Sequence, residues 1–192
     1  MKIGDQWVAQ FVSEGTTYTV TSEVTGEDVA GEDAVYVVKR SVLPSTSGIT
    51  DMSLELSKAT LRPLAMEMSG EYMDQPLSVM IDYSYAPSIS PYPLKVGESW
   101  ELAETAVMTA DLAGETQEDT SVSDYRYEVM GTEEIEVPAG SFSCFEIATF
   151  DESGTLLRTA WVSGLVKFRD VKAIDHQSGG TVTELVSYSM SY

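Results

Sequence analysis

The sequence predicts an all-β fold in which two similar antiparallel β-meander halves, residues 1–88 and 89–192, form a sandwich or a strongly curved half-barrel sheet with little or no helix. Three observations carry this expectation. Apolar and polar residues alternate with a period of two along most of the chain, the signature of half-buried strands. Turn signals recur at intervals of roughly 8–15 residues, a spacing typical of antiparallel sandwiches and barrels. The chain also repeats its opening: Met1-Lys2-Ile3-Gly4-Asp5-Gln6-Trp7 returns as Leu94-Lys95-Val96-Gly97-Glu98-Ser99-Trp100. A repeat constrains the architecture before any motif does. A meander of this kind does not easily bury both faces alone, so the halves are read as one domain, packed face to face or joined in one curved sheet.

In the first half, turn signals fall at Ser13-Glu14-Gly15, Thr25-Gly26-Glu27-Asp28, Ala30-Gly31-Glu32-Asp33, Pro44-Ser45-Thr46-Ser47-Gly48 and Ser69-Gly70. Between them, Met52, Leu54 and Leu56 line one face of a strand, and Leu64, Met66 and Met68 line another. Val79, Ile81, Tyr83 and Tyr85 form a further row. The Pro- and Ser-rich stretch 86–93 links the halves. In the second half, Ala103–Ala113 is the best helical candidate, but its apolar positions do not fall on one stripe and it reads equally as a strand. Tyr125, Tyr127 and Val129 continue the alternation, and turns follow at Ala139-Gly140, Glu152-Ser153-Gly154, Ser163-Gly164 and Ser178-Gly179-Gly180. The repeat extends along both halves. Glu23-Val24-Thr25-Gly26 matches Glu128-Val129-Met130-Gly131, and Met80-Ile81-Asp82-Tyr83-Ser84-Tyr85 matches Leu185-Val186-Ser187-Tyr188-Ser189-Met190. Turn counting then gives about six strands per half, with an insertion near Thr105–Ser121 lengthening the second. Gly4, Trp7, Gly97 and Trp100 are structural residues on this reading, the tryptophans being core wedges at equivalent places rather than ligand platforms.

Composition narrows the function. The chain carries 11 basic against 31 acidic residues, a formal net charge of −20. Nucleic-acid binding needs Lys and Arg to replace phosphate counterions, so that class is excluded, and an anionic membrane surface is disfavoured by the same repulsion. The single cysteine, Cys144, admits no intrachain disulfide and sits in an apolar run that suits burial as a small hydrophobe. No apolar stretch has the length of a transmembrane helix. No asparagine is present, so N-linked glycosylation is impossible.

Little in the chain suggests catalysis. The only histidine, His176, shares one turn with Asp175 and Ser178, and neighbours in a turn do not converge as a triad does. Acidic clusters at Glu27-Asp28 with Glu32-Asp33 and at Glu133-Glu134 with Glu136 read as solvated faces. A carboxylate-based hydrolase or a Ca²⁺ site is the alternative for them. One His and one Cys do not make a zinc or copper site, and no glycine-rich loop leads into a helix to cradle phosphate. No metal or cofactor is expected. Tyr83, Tyr85, Tyr188 and Tyr192 are the candidate ligand-binding residues: their rows line a groove or cover the open side of a sheet.

Residues 92–188 carry a family resemblance. Tyr92-Pro93-Leu94-Lys95-Val96-Gly97-Glu98-Ser99-Trp100, then Val137-Pro138-Ala139-Gly140-Ser141-Phe142-Ser143-Cys144-Phe145, then Trp161 with Gly164-Leu165-Val166-Lys167 resemble the TapB-like family, proteins of unknown function exported by bacteria and archaea, many of them lipoproteins. The chain departs from the pattern at Val162-Ser163, which is shorter than the aromatic turn of the family. The resemblance implies an antiparallel β fold, structural roles for Pro138, Gly140, Cys144 and Trp161, an extracellular or surface-anchored setting with the leader segment absent from this chain, and no activity. Pro138 is suited to end one strand, and Gly140 to take a positive φ before Phe142 restarts pairing.

The expectation is therefore a non-catalytic cell-envelope binding module, taking a hydrophobic small molecule or a protein partner on the concave face of a curved sheet. The alternative is a structural subunit that builds a filament or layer through exposed edge strands such as Thr181–Tyr192.

Overall fold

Two-residue links dictate the topology. Glu14-Gly15, Gly31-Glu32, Met73-Asp74 and Ala113-Gly114 each join positions that pair directly, Ser13 with Thr16, Ala30 with Asp33, Tyr72 with Gln75 and Leu112 with Glu115. Such links force each strand antiparallel against the next. The structure, a computed structural model, describes residues 1–45, 48–87, 92–167, 169–177 and 179–191. Its first six strands are β1 (Gln6–Ser13), β2 (Thr16–Ala30), β3 (Asp33–Leu43), β4 (Ile49–Ser57), β5 (Pro63–Tyr72) and β6 (Gln75–Ala86). The other six are β7 (Ser99–Leu112), β8 (Glu115–Val137), β9 (Gly140–Asp151), β10 (Leu156–Ser163), β11 (Arg169–Asp175) and β12 (Thr181–Ser189). A single 3₁₀ turn, Gly164–Val166, precedes β11 and is the one helical element among the described residues.

The sheet is neither a sandwich nor an open half-barrel. It closes into a barrel of twelve strands in chain order, because β1 pairs with β12 from Gln6 opposite Ser189 to Phe11 opposite Thr183. Closure removes the edge that an open meander would leave. Thr181–Ser189 is accordingly not an edge: β1 lies on one side of it, and β11 pairs with Thr181–Glu184 on the other. Residue 192, and with it the end of the expected edge, lies outside the described residues, as do 88–91 of the link between the halves. Ala103–Ala113 falls in and just beyond β7, which pairs with β6 on one side and β8 on the other; two ladders leave it no helical option.

The two copies of the opening motif share one backbone geometry. The Gly4 and Gly97 N–H groups donate to the carbonyls of Val24 and Val129 at 2.8 and 2.9 Å, and the Val24 and Val129 N–H groups donate back to Asp5 and Glu98 at 2.9 Å each. Both glycines take positive φ, +88° and +82°, which Gly reaches without steric cost. Bulges fall at matching places, between Val24 and Gly26 and between Val129 and Gly131. The turns after β4 and β10 also match: Leu61 and Lys167 both sit in the left-handed region, and the hydroxyls of Ser57 and Ser163 cap backbone N–H groups.

The tryptophans of the motif diverge. Trp7 is buried in the main core with Val24, Val38, Leu54 and Leu185, under the Arg169 guanidinium 5.1 Å from its ring. Trp100 is half-buried and stacks on Tyr127 at 5.2 Å beside a smaller cluster of Leu94, Val129 and Val162. Two expected turns are not turns. Thr25-Gly26 is a bulge inside β2, and Ser69-Gly70 runs inside β5, where a Cβ on Gly70 would lie 2.1 Å from the Gly48 carbonyl oxygen. Gly70 is needed there for close backbone approach, not for reversal. The Pro138-Ala139 turn joins β8 to β9, with Gly140 at φ +125°, and Cys144 next to it is 1% exposed.

Candidate functional site

Register sorts the first seven strands into two faces. Val24, Val38, Leu54, Met66, Ile81 and Met108 pair in succession across β2 to β7, and Ser22, Arg40, Met52, Met68, Val79 and Ala110 form the adjacent parallel row. This face carries the core and points into the barrel. It is sealed at one side only. Val24 and Val38 are 0% and 1% exposed and Leu54 is 7%, whereas Met66 and Ile81 are half-buried and Met108 is 39% exposed. Met52, Met68, Val79 and Tyr83 are half-buried as well. The inward lining over β4 to β7 is thus apolar, methionine-rich and incompletely covered by the protein itself.

A polar cluster continues the same inward face. Arg40 donates its Nε to the buried Ser22 hydroxyl at 3.4 Å and feels the Asp170 carboxylate. Asp170 also receives Arg158, and Arg169 is drawn to both Asp170 and Tyr92. Tyr92 in turn feels the Arg62 charge. The Arg62 guanidinium lies 5.4 Å from the ring of Tyr85 and acts on Glu104 and Tyr127. Tyr85 pairs with Glu104 across β6 and β7 and donates its hydroxyl to the Pro63 carbonyl at 2.9 Å. Four of the chain's five arginines therefore gather here, although the protein as a whole is strongly acidic.

The environment perturbs these groups in the direction burial dictates. Burial lowers Arg40, and lowers Arg169 to about 10, with Asp170 and Tyr92 opposing the change. Burial raises Glu104, with Arg62 opposing. Burial, then Glu104, raises Tyr83 and Tyr85, and burial raises Tyr92 and Tyr127. Three side-chain N–H donors are sealed from solvent and have no acceptor among the described residues: Arg62 Nη1, Trp100 Nε1 and Arg169 Nε. Each such donor costs about 1–3 kcal/mol when left unmet.

The structure brings together Tyr83 and Tyr85 of the expected binding residues. Tyr188 lies elsewhere, on β12, where its ring tilts against Phe142 at 5.6 Å, and Tyr192 is outside the described residues. His176 is exposed, with its Nε2 3.1 Å from the Thr159 hydroxyl; Ser178 is outside the described residues. Of the acidic clusters, Glu133 accepts the Trp161 indole N–H at 3.1 Å, and Glu27 pairs with Lys58 at 2.6 Å. No cluster of three metal-ligating side chains occurs among the described residues, and no helix there is long and apolar enough to cross a membrane. A hollow of about 690 Å³ over β2 to β7 is lined by Glu23, Lys39, Glu67 and Met80 and also by Arg40, Met52, Met68 and Val79 of the row described above. Its lining mixes charged and apolar groups, unlike the predominantly apolar lining of small-molecule sites.

The arginines were the missed residues. Their signal was parity. Arg40 falls in step with Tyr36 and Val38 on β3, Arg158 with Ala160 and Val162 on β10, and Glu104 with Leu102, Ala106 and Met108 on β7. A charge at an inward position of a strand marks a polar interior.

No protein-family model matches this chain, and no curated protein matches it. Two solved structures resemble it over nearly their whole lengths. One is a protein from Bacteroides fragilis assigned as exported and having a YmcC-like fold, 10% identical over 98% of this chain and 97% of its own, with a TM-score of 0.47. The other is a protein from Parabacteroides distasonis assigned as a lipoprotein, 13% identical over 98% of this chain and 96% of its own, with a TM-score of 0.43.

Proposed function

We propose that this chain is a non-catalytic, extracytoplasmic binding module that holds an elongated hydrophobic molecule inside its barrel. One observation carries the reading. The inward row that is sealed at Val24 and Val38 opens progressively through Met66 and Ile81 to Met108, leaving apolar side chains part-exposed inside a closed sheet. Barrels of about eight strands are just filled by their own side chains, and wider ones enclose cavities or channels. Methionines suit such a lining because their flexible thioethers repack around ligands of varied shape. The extracytoplasmic setting is supported by the sequence resemblance of residues 92–188 to exported proteins.

The test is saturable binding of an apolar fluorescent probe to delipidated protein, repeated with Met66→Glu and Ile81→Glu. Both side chains are half-buried, so a charge can be carried there without forcing it into the sealed core. Stoichiometric binding that is lost in both folded variants supports the reading. Absence of saturable binding to the parent protein refutes it.

A further inference from the structure

We infer that residues 115–124 of β8 form a docking edge that takes an extended, basic segment of another protein as an added strand. The barrel is closed, yet its rim steps down at this strand. β8 pairs with β7 without a register shift from Glu115 opposite Leu112 to Glu128 opposite Ser99, but β9 joins it only from Tyr125, opposite Asp151. There the Asp151 N–H donates to the Thr155 carbonyl at 3.0 Å and the Thr155 N–H donates back to the Asp151 carboxylate at 2.8 Å, a turn that carries the chain away from β8. Residues 115–124 therefore have a ladder on one side only, over roughly 30 Å of strand. The Ala113-Gly114 turn sets which backbone groups are left over. A two-residue turn closes on a hydrogen-bonded pair, here Leu112 and Glu115, and such pairs alternate with non-bonded ones along an antiparallel ladder. The N–H and C=O groups of Thr116, Glu118, Thr120 and Val122 consequently point away from β7, and no backbone partner meets them among the described residues.

Edge strands are ordinarily blunted by shortness, proline, a bulge or interspersed charge. Residues 115–124 contain no proline and no bulge, and every residue from 115 to 122 is exposed. Charge is the guard, and it has a single sign: Glu115, Glu118, Asp119 and Asp124, with no lysine or arginine among them. The acids continue past the end of the edge. A hollow of about 590 Å³ where β9 leaves β8 is lined by Glu101, Asp124, Asp151 and Glu152. The base in its lining, Arg126, is paired with Glu128 at 2.9 Å and lies 4.2 Å from the Phe150 ring. A second copy of this chain laid on the edge would set acids against acids, with no base on either strand to offset them. A segment bearing lysine or arginine meets the opposite condition. Its backbone completes the ladder, and its side chains face acids on both sides of β8, Glu118 and Asp124 on one and Glu115 and Asp119 on the other. The charge thus admits one kind of strand and rejects another.

The probe is a short peptide alternating lysine and threonine, long enough to span the edge, titrated into the full chain beside the same peptide N-methylated at every amide. The parent protein should bind the first saturably. It should bind the second, which keeps the charge but has no N–H to donate, about tenfold or more weakly. Amide exchange at Glu118 and Val122 should slow on binding, because their N–H groups gain acceptors. Thr120→Pro removes an N–H that β7 does not use, a change that an edge strand tolerates. It should weaken the unmodified peptide by about tenfold. Glu118→Lys should weaken the peptide as well, and added salt should do the same by screening. Equal binding of the two peptides by the parent, or binding unchanged in folded Thr120→Pro, overturns the added strand and leaves only attraction between a basic peptide and an acidic protein. Absence of saturable binding overturns it outright. Equal binding of a peptide with glutamate in place of lysine overturns the basic partner. A dimer of the parent in sedimentation that Thr120→Pro dissolves gives the edge to a second copy and overturns the foreign partner.

Discussion

The Lys167 ammonium donates to the Asp5 carboxylate at 2.5 Å across 162 residues of sequence. Asp5 is fully buried and also accepts the N–H groups of Lys2 and Ser191, each at 2.7 Å. One carboxylate thus ties together the start of the chain, its end and the turn before β11. Asp5→Asn leaves the ammonium without its anion. It should destabilise the protein by about 3 kcal/mol, the low end for a broken buried pair because Lys167 keeps some access to water. Glu98 holds the matching place in the second half, but its side chain is exposed and pairs with Lys95 at 3.4 Å. Glu98→Gln should shift stability by no more than about 0.5 kcal/mol. Urea unfolding of the two variants measures the contrast; equal losses would show that Asp5 has no special role.

The same pair sets an acid limit. Burial alone would raise Asp5, but the Lys167 ammonium and the Ser191 and Lys2 N–H groups outweigh it and hold the carboxyl below its ordinary value. A depressed folded value means that the contribution is present above the unfolded value of about 3.9 and is lost as pH falls through the folded one. The urea midpoint should therefore fall below about pH 4 more steeply in the parent than in Asp5→Asn. Parallel profiles would remove Asp5 from the acid transition.

The legible part of this fold was whatever depends on neighbours in sequence. Alternation marked β4, β5 and β6, and Ser13-Glu14-Gly15 marked a hairpin, because a glycine in the left-handed region announces itself. Closure was not legible. The pairing of Gln6 with Ser189 depends on how twist accumulates over twelve strands, and no local residue encodes it. The Met73-Asp74 turn was missed for the opposite reason: it puts Met73, which carries no turn signal, in the left-handed region and has no glycine beside Asp74. Half of the candidate site was visible, as the tyrosine row on β6. The arginines came from β3, the turn before β5, β10 and β11, and only the closed barrel brings those segments together.

Asp170 is the shared anion of Arg40, Arg158 and Arg169. Its pair with Arg158 is 42% exposed on both sides, so that contact alone contributes little after solvent screening. The more buried Arg40 and Arg169 make the larger difference. Asp170→Asn should cost about 1–3 kcal/mol, and Arg158→Gln less than about 1 kcal/mol. Urea unfolding of the two variants tests both statements, and a neutral Asp170→Asn would count against a shared role.

Burial, then Glu134 and Glu133, pushes the Cys144 thiol up to about 11. Only the thiolate reacts with alkylating agents, so at mildly alkaline pH the folded protein should label at least about a hundredfold more slowly than a free cysteine. Labelling should become complete in denaturing urea. Mass spectrometry after iodoacetamide treatment reads both states. Native labelling at a rate near that of free cysteine would mean that the β8–β9 tip opens readily.

The β5–β6 hairpin holds strain that a two-residue change should release. Met73 and Asp74 both lie in the left-handed region, at φ +51° and +62°, and Tyr72 pairs with Gln75 around them. This is the turn geometry that suits strand twist, but it favours Asn-Gly, because other residues pay about 1 kcal/mol or more for the left-handed region. Met73 is 79% exposed, so its side chain contributes no packing that would be lost. Met73→Asn with Asp74→Gly should therefore stabilise the protein by about 1 kcal/mol, part of the gain being offset by the extra freedom of Gly in the unfolded chain. For a domain of this size, that raises the melting temperature by roughly 2–4 °C. Ala113→Asn tests the same logic at the β7–β8 turn, where Ala113 sits at φ +55° beside Gly114. Thermal melts of both variants that match or fall below the parent would show that these turns are not strained in solution.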